Sequence, residues 1–250
     1  MIHRLFRPRW ALAAAAATLS LAAQAVDLRA YTGDWAPYNF EEGGKVTGIA
    51  TDVFLTACKQ AKLTCSTEML PWARSYKIAT TEPGTLIYTT ARKPSREQEF
   101  VWVGPLLPRT TWVYVRNDPA IVTKAPSDIS KLTIGIVRGE ASETDLLAAG
   151  LPESGLSRQP TNADVIRLLR LGVIDGMVDT EIGMLWNLKT NDFAPNFMRQ
   201  AYKLTDEGAY YYALNLNTPP ETVKKLQAAV DKLRTSGEIQ KVVQRYVGGR

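Results

Sequence analysis

Histidine is almost missing from this sequence: the 250 residues hold one, His3. Cysteine is nearly as scarce, with only Cys58 and Cys65. Long apolar runs are also rare. The longest, residues 10–23, is alanine-rich and falls short of the roughly 20 residues a membrane-spanning helix needs. Arg4, Arg7 and Arg9 precede that run and Ala23-Gln24-Ala25 follows it. A basic start, an apolar middle and a small-x-small cut site make residues 1–25 a secretory signal, with a buried helix of the folded domain as the alternative. No cysteine follows the cut, so a lipid anchor there is not expected.

Each scarcity excludes something. His3 would leave with the signal, and a chain without histidine has no Ser-His-Asp triad, no Cys-His pair and no His-ligated zinc. No metal, cofactor or catalytic residue is expected. Of 30 Lys and Arg, three lie in the signal, leaving 27 against 25 acidic residues and a net charge of +2. The charges are interspersed, whereas a nucleic-acid partner would need a concentrated basic stripe. In an exported chain the default state of Cys58 and Cys65 is a disulfide, with a free thiol pair as the alternative. About 225 residues can bury a core without it.

What is present is alternation. "VDLRAYT" has period two, and "GIATDVFLTACKQA" carries Ile49, Val53, Ala57 and Ala61 at helical spacing. Strand-like runs recur at "STEML", "TLIYTT", "TWVYVR", "LTIGIV", "DGMVD" and "AYYYALNLN". Helices are expected near 142–149, 162–171 and 181–189. Thr218 and Glu221 form a capping box ahead of Val223, Leu226, Val230 and Leu233, and Gly237 separates that helix from a last one. Alternating strands and helices predict an α/β chain with mostly parallel sheet. The length suits two lobes, and the turn-rich stretch 117–131 marks the entry to the second.

Several stretches resemble one family together. "DWAPYNF" (34–40) is similar to its opening segment, and "CKQAKLTC" to a disulfide of its basic amino acid binders. "SREQEFVWVGP" is similar to the run carrying its ligand-gripping arginine. "LTIGIVRGEASETDLL" is similar to the strand-to-helix element opening its second lobe, and "TPPETVKKLQAAVDKLRTSGEIQKVVQRYVGG" to its ending. The family is the periplasmic solute-binding proteins of family 3, which serve polar amino acid ABC transporters, with the lysine/arginine/ornithine and histidine binders as reference. The resemblance implies a two-lobe periplasmic-binding-protein fold of type II with the ligand in the cleft. Lobe one is then 27–112 with 213–250 and lobe two 116–209, hinged at "TWVYVR" and "AYYYALN". It implies a periplasmic monomer that captures an amino acid or related carboxylate for an ABC permease, without inserting in the membrane.

Residue by residue, Arg96 aligns with the carboxylate-gripping arginine. A planar, permanently charged guanidinium suits that task; an ion pair with Glu97 or Glu99 is the alternative. Arg92 and Lys93 are expected to be solvated. Trp35, Tyr38 and Trp72 are candidate cleft walls, each with core packing as its alternative. Gly139, Ala141 and Ser142 open a helix whose free amides can hold the same carboxylate, with Ser142 as its N-cap. The family's usual hydroxyls fall at Ala141 and Ala91, with Thr89 and Thr90 near the latter. Its amine-binding acid falls at Thr180, leaving Asp179 or Glu181 to substitute. A carboxylate-bearing solute is therefore the firmer reading, ahead of an amino acid. Two alternatives share the fold: an exported enzyme, cyclohexadienyl dehydratase-like or transglycosylase-linked, using Glu140, Glu143, Asp179 or Glu181 as acid or base; and an exported sensor domain.

Overall fold

The computed structural model describes residues 26–247, so the expected signal lies outside the described residues. Two five-stranded sheets organise the chain. The first begins with β1 (Leu28–Thr32). A small hairpin of β2 (Phe40–Glu42) and β3 (Lys45–Thr47) and helix α1 (Ile49–Ala61) follow, then β4 (Cys65–Met69), α2 (Trp72–Thr81) and β5 (Thr85–Ala91). A 3₁₀ turn at Pro94–Glu99 leads into β6 (Val101–Pro108). β1 pairs in parallel with both β4 and β5.

The second sheet takes β7 (Thr111–Arg116), β8 (Ile134–Val137), β9 (Leu156–Gln159), β10 (Gly176–Asp179) and β11 (Met198–Thr205). Helices α3 (Ala141–Ala148), α4 (Asn162–Arg170) and α5 (Glu181–Thr190) alternate with them. The chain then returns through β12 (Ala209–Leu214), which lies antiparallel between β5 and β6, and ends in α6 (Pro220–Thr235) and α7 (Glu238–Val247). The stretches read as crossing strands are β7 and β12 themselves. The sheets are joined at 109–110 and 206–208, a few residues ahead of each. This is the two-lobe α/β architecture of periplasmic binding proteins.

Both faces of each sheet are covered, as parallel pairing demands. On β5 and β12, Leu86, Tyr88, Tyr212 and Leu214 pack with α1, α6 and α7, while Ile87 and Ala213 join Ala79 of α2 on the other side. The second sheet sends Val113, Val115, Ile134 and Ile136 to Leu146 of α3, and Tyr114, Val137 and Met177 to Val165 and Leu169 of α4 and Met184 of α5. The period-two alternation of strand side chains places neighbours on opposite faces.

α1 ends at Lys62 in the left-handed conformation, and Cys58 near its end is bonded to Cys65 at the start of β4. Closing so short a loop stabilises the fold by about 2–3 kcal/mol on chain-entropy grounds. The expected capping box does not form. Thr218 donates its hydroxyl to the Asn215 carbonyl (2.7 Å), and Pro219 holds the N-cap position with no side-chain cap. Pro220 at the first helical position brings no N–H, so the helix start needs one fewer acceptor. Gly237, at φ 74°, separates α6 from α7 as expected.

Candidate functional site

Where the lobes face each other they enclose a cavity of about 300 Å³. Lobe one contributes Trp35, Trp72, Thr89 and Arg96; lobe two contributes Glu140, Ala141, Ser142 and Asp179; Arg109 and Thr111 enter from the joint.

The turn at Pro94–Glu99 carries Arg96 into this space. Its Nη2 donates to the Gly139 carbonyl (2.8 Å) and its guanidinium lies 5.1 Å from the Tyr76 ring centre, while Nη1 is buried without a partner. Among the described residues no carboxylate pairs with it: Glu97 is taken by Arg92 (Nε to Oε2, 2.9 Å), which packs on Trp102 and Tyr211 at the surface. Burial lowers the Arg96 pKa from its ordinary value, yet a guanidinium keeps its charge when desolvated.

Lys93 is not solvated as expected. Its Nζ reaches across to lobe two, to Asp145 Oδ1 (2.8 Å) and the Ala141 carbonyl (3.3 Å). Asp145 also pairs with the buried Arg109. A carboxylate shared by two cations draws both inward, which sequence spacing could not reveal.

Trp35 and Trp72 both line the cavity and both donate across it. Trp35 Nε1 donates to Asp179 Oδ1 (3.1 Å) and Trp72 Nε1 to the Gly139 carbonyl (3.2 Å). Gly139, at φ 79°, turns that carbonyl toward lobe one, where Arg96 also donates to it. Tyr38 stands behind the wall, 3% exposed, its ring centre 4.5 Å from that of Trp35 with the planes tilted by 40°, and hydrogen-bonded to Thr180 Oγ1 (2.8 Å). Burial raises its phenol well above the ordinary range. Thr89 is on the wall in the left-handed region, donating to Asn39 Oδ1 (2.6 Å), whereas Thr90 is buried off the wall with Oγ1 unpartnered.

Ser142 does not cap α3. Glu140 occupies the N-cap position, because the helix begins at Ala141, and Ser142 instead points a buried, unpartnered Oγ from the first turn. The Gly139 amide is taken by Glu143 Oε2 (3.3 Å), and Glu143 is held in turn by Arg158. Thr180, at the N-cap of α5, accepts from the Gly183 amide (2.9 Å). Asp179 faces the cavity while Glu181 lies outside it, accepting from Gln200 (3.1 Å). Asp179 is 1% exposed and accepts from Trp35, the Thr180 amide (2.8 Å) and Asn187 (2.9 Å). Burial outweighs these bonds and pushes its pKa up to about 7.

Glu140 differs from Asp179 in having no hydrogen-bond partner for its carboxyl among the described residues. Desolvation and the charge of Asp179 push it up to about 8 against the opposing pull of Arg96. The sequence offered Glu140 only as one of four candidate acids; its N-cap place, next to the expected glycine, was the available clue. Thr111 and Arg109 went unread. Thr111 opens the "TWVYVR" stretch expected as a hinge, and Arg109 lies just ahead of it, but neither was read as a residue of the site.

Among the described residues no cluster of three or more His, Cys, Asp or Glu side chains is suited to a metal, and no helix is long and apolar enough to cross a membrane. The arrangement suits capture: two aromatic walls, one unpartnered guanidinium nitrogen and unpaired hydroxyls, closed by contacts between lobes.

Known proteins share this architecture. The arginine-, lysine-, histidine-binding protein ArtJ from Geobacillus stearothermophilus superposes with a TM-score of 0.77 at 16% identity, over 90% of this chain and 96% of that one. An amino acid ABC transporter substrate-binding protein from Streptococcus pneumoniae, bound to L-arginine, gives 0.75 at 19% identity, over 88% and 93%. The membrane-bound lytic murein transglycosylase F of Pseudomonas syringae is 27% identical over 157 residues, 62% of this chain and 31% of that protein. This chain therefore spans about a third of that relative's length. Residues 29–249 match the bacterial extracellular solute-binding proteins, family 3, and the chain belongs to that family.

Proposed function

We propose that this protein captures a small carboxylate-bearing polar solute, an amino acid first among the candidates, and delivers it to the permease of an ABC importer. It acts as a periplasmic monomer after cleavage before Val26; intact mass of the exported protein checks that cut and the Cys58–Cys65 bond together. The observation that carries the reading is the buried, unpartnered Nη1 of Arg96 on the cavity wall. A buried charged donor without an acceptor is costly, and a ligand carboxylate in the closed cleft would supply one. The unpartnered hydroxyls of Ser142 and Thr111 on the same wall support a polar ligand.

The test is a thermal-shift screen of the mature protein against amino acids, polyamines, organic acids and short peptides. A ligand at about 100 times its Kd adds about 2.7 kcal/mol of stability, and at least one carboxylate-bearing compound is expected to do so. Stabilisation by polyamines alone, or by nothing, would overturn the reading. Glu140, its carboxyl raised into the neutral range, favours one second reading: an exported enzyme with a cleft acid. Chemical change of a stabilising acid on incubation would support that reading; recovery of the compound unchanged supports capture.

A further inference from the structure

We infer that Trp186 is a positioning residue for capture: with Ile182 it forms an apolar clasp, outside the ligand cavity, that holds the lobes closed and slows solute escape. The inference rests on the solute-binding reading of the cleft and concerns how the lobes hold a solute, whatever its chemistry.

Helix α5 is apolar on two faces. Met184 and Leu188 join the cluster that holds Val165 and Leu169 of α4. Ile182 and Trp186, neighbours one turn apart, face lobe one instead. Among the described residues Ile182 is the one side chain of lobe two packed against the core of lobe one. The Trp186 ring centre lies 5.3 Å from that of Phe40 in β2 and 6.4 Å from that of Tyr246 in α7. Phe40 and Tyr246 meet edge to face at 6.1 Å. The Tyr246 hydroxyl accepts from the Gly48 amide (3.1 Å) and donates to Asp52 Oδ2 (3.0 Å), with Thr47 Oγ1 also at 3.0 Å. Lobe one thus presents an anchored aromatic surface to one face of α5.

This contact belongs to the closed arrangement. Phe40 follows Tyr38 in lobe one and Trp186 follows Thr180 in lobe two, and the Tyr38 and Thr180 hydroxyls meet between the lobes at 2.8 Å. Phe40, Ile182, Trp186 and Tyr246 all lie off the cavity wall, so the clasp is made by protein atoms alone. All four are half-buried. Parting the lobes returns their covered apolar surface to water, and aromatic pairs add to that cost. The clasp therefore shifts the protein toward the closed form with or without a solute. A solute enters while the lobes are apart, so a contact made on closure acts on escape. It lowers the dissociation rate and does not speed association.

The first measurement uses the mature protein without any solute. Lys77→Cys in α2 and Arg167→Cys in α4, both at exposed positions, carry spin labels whose separation pulsed dipolar spectroscopy reads. Labelling without reductant keeps the Cys58–Cys65 bond intact. A short-distance, closed population is expected, and Trp186→Ala should lower its ratio to the open one by about 5- to 50-fold. Phe40→Ala, on the opposite lobe, should do the same, with little further change when the two are combined. Trp186→Phe should fall between wild type and Trp186→Ala. Leu185→Ala, beside Trp186 but 67% exposed, is the control and should match wild type. The second measurement is stopped-flow release of the compound that most stabilises the protein in the thermal-shift screen. Trp186→Ala should release it about 5- to 50-fold faster while taking it up no more slowly. Circular dichroism checks folding, and Phe40→Ala and Trp186→Phe decide the matter if Trp186→Ala does not fold. Wild-type distances or wild-type release in these variants would overturn the clasp and leave the capture reading standing. If no compound binds, the capture reading fails and the spin-label distances still decide the clasp.

Discussion

Replacing Arg96 with alanine is expected to weaken ligand binding by about 2–5 kcal/mol, roughly 30- to several-thousand-fold. The substitution removes the free Nη1 that awaits a carboxylate and leaves the ligand's anion unpaired in a desolvated space. It also removes the Nη2 bond to Gly139 that helps hold the lobes together, although Trp72 still donates to that carbonyl. Arg96→Lys should recover only part, because an ammonium cannot present a planar fork of donors. Arg92→Ala is the control: its guanidinium pairs with Glu97 at the surface, outside the cavity wall. It should change affinity by well under tenfold. Calorimetric titration of the variants with the best ligand of the screen reads the result. Wild-type affinity in Arg96→Ala would remove the arginine from the site.

Asp179→Ala is expected to lower the stability of the ligand-free protein by about 2–4 kcal/mol, read as a lower urea midpoint at unchanged slope. Its carboxyl joins three donors from both lobes, Trp35 Nε1, the Thr180 amide and Asn187 Nδ2. Truncation leaves them buried without an acceptor, at about 1–3 kcal/mol each. Relief of the carboxylate's own desolvation offsets part of this, which is why the loss stays below the sum. The room is tight as well: a Cβ at Gly183 would collide with the Asp179 carboxyl. The pH sign follows from the raised pKa of about 7. The folded state holds the Asp179 proton more firmly than the unfolded chain, so its contribution is full below about pH 4 and is lost as pH rises through about 7. The Asp179→Ala deficit should therefore shrink from about pH 5 to about pH 8. A constant or growing deficit would contradict the buried, desolvated carboxyl.

How much of this was legible in the sequence follows burial. Helix α1, the pair α6 and α7, and the inner strands β5, β8 and β10 carry apolar residues at helical or strand spacing, and their periods could be read directly. Helix α2 could not, because the side chains it buries are Trp72, Ser75 and Ala79, too mixed to show a stripe. Strands β9 and β11 lie at the edges of their sheet, half-exposed and polar, so their alternation is weak. In the cleft, the segments holding Trp35, Arg96 and Asp179 were legible through resemblance, whereas Trp72 was only a candidate wall. The cross-lobe partners were not. Lys93 finds Asp145, and Glu140 comes under the field of Arg96, only once two lobes distant in sequence have closed.

A solute carboxylate on Arg96 between the lobes is the central claim to test. The most direct measurement is a crystal structure of the mature protein with the compound that stabilises it most in the thermal-shift screen. The predicted result is a ligand enclosed with Trp35 and Trp72 on its walls, its carboxylate within hydrogen-bond distance of Arg96 Nη1 and Ser142 Oγ. A ligand bound outside the cleft, or inside it with Arg96 untouched, would contradict the account.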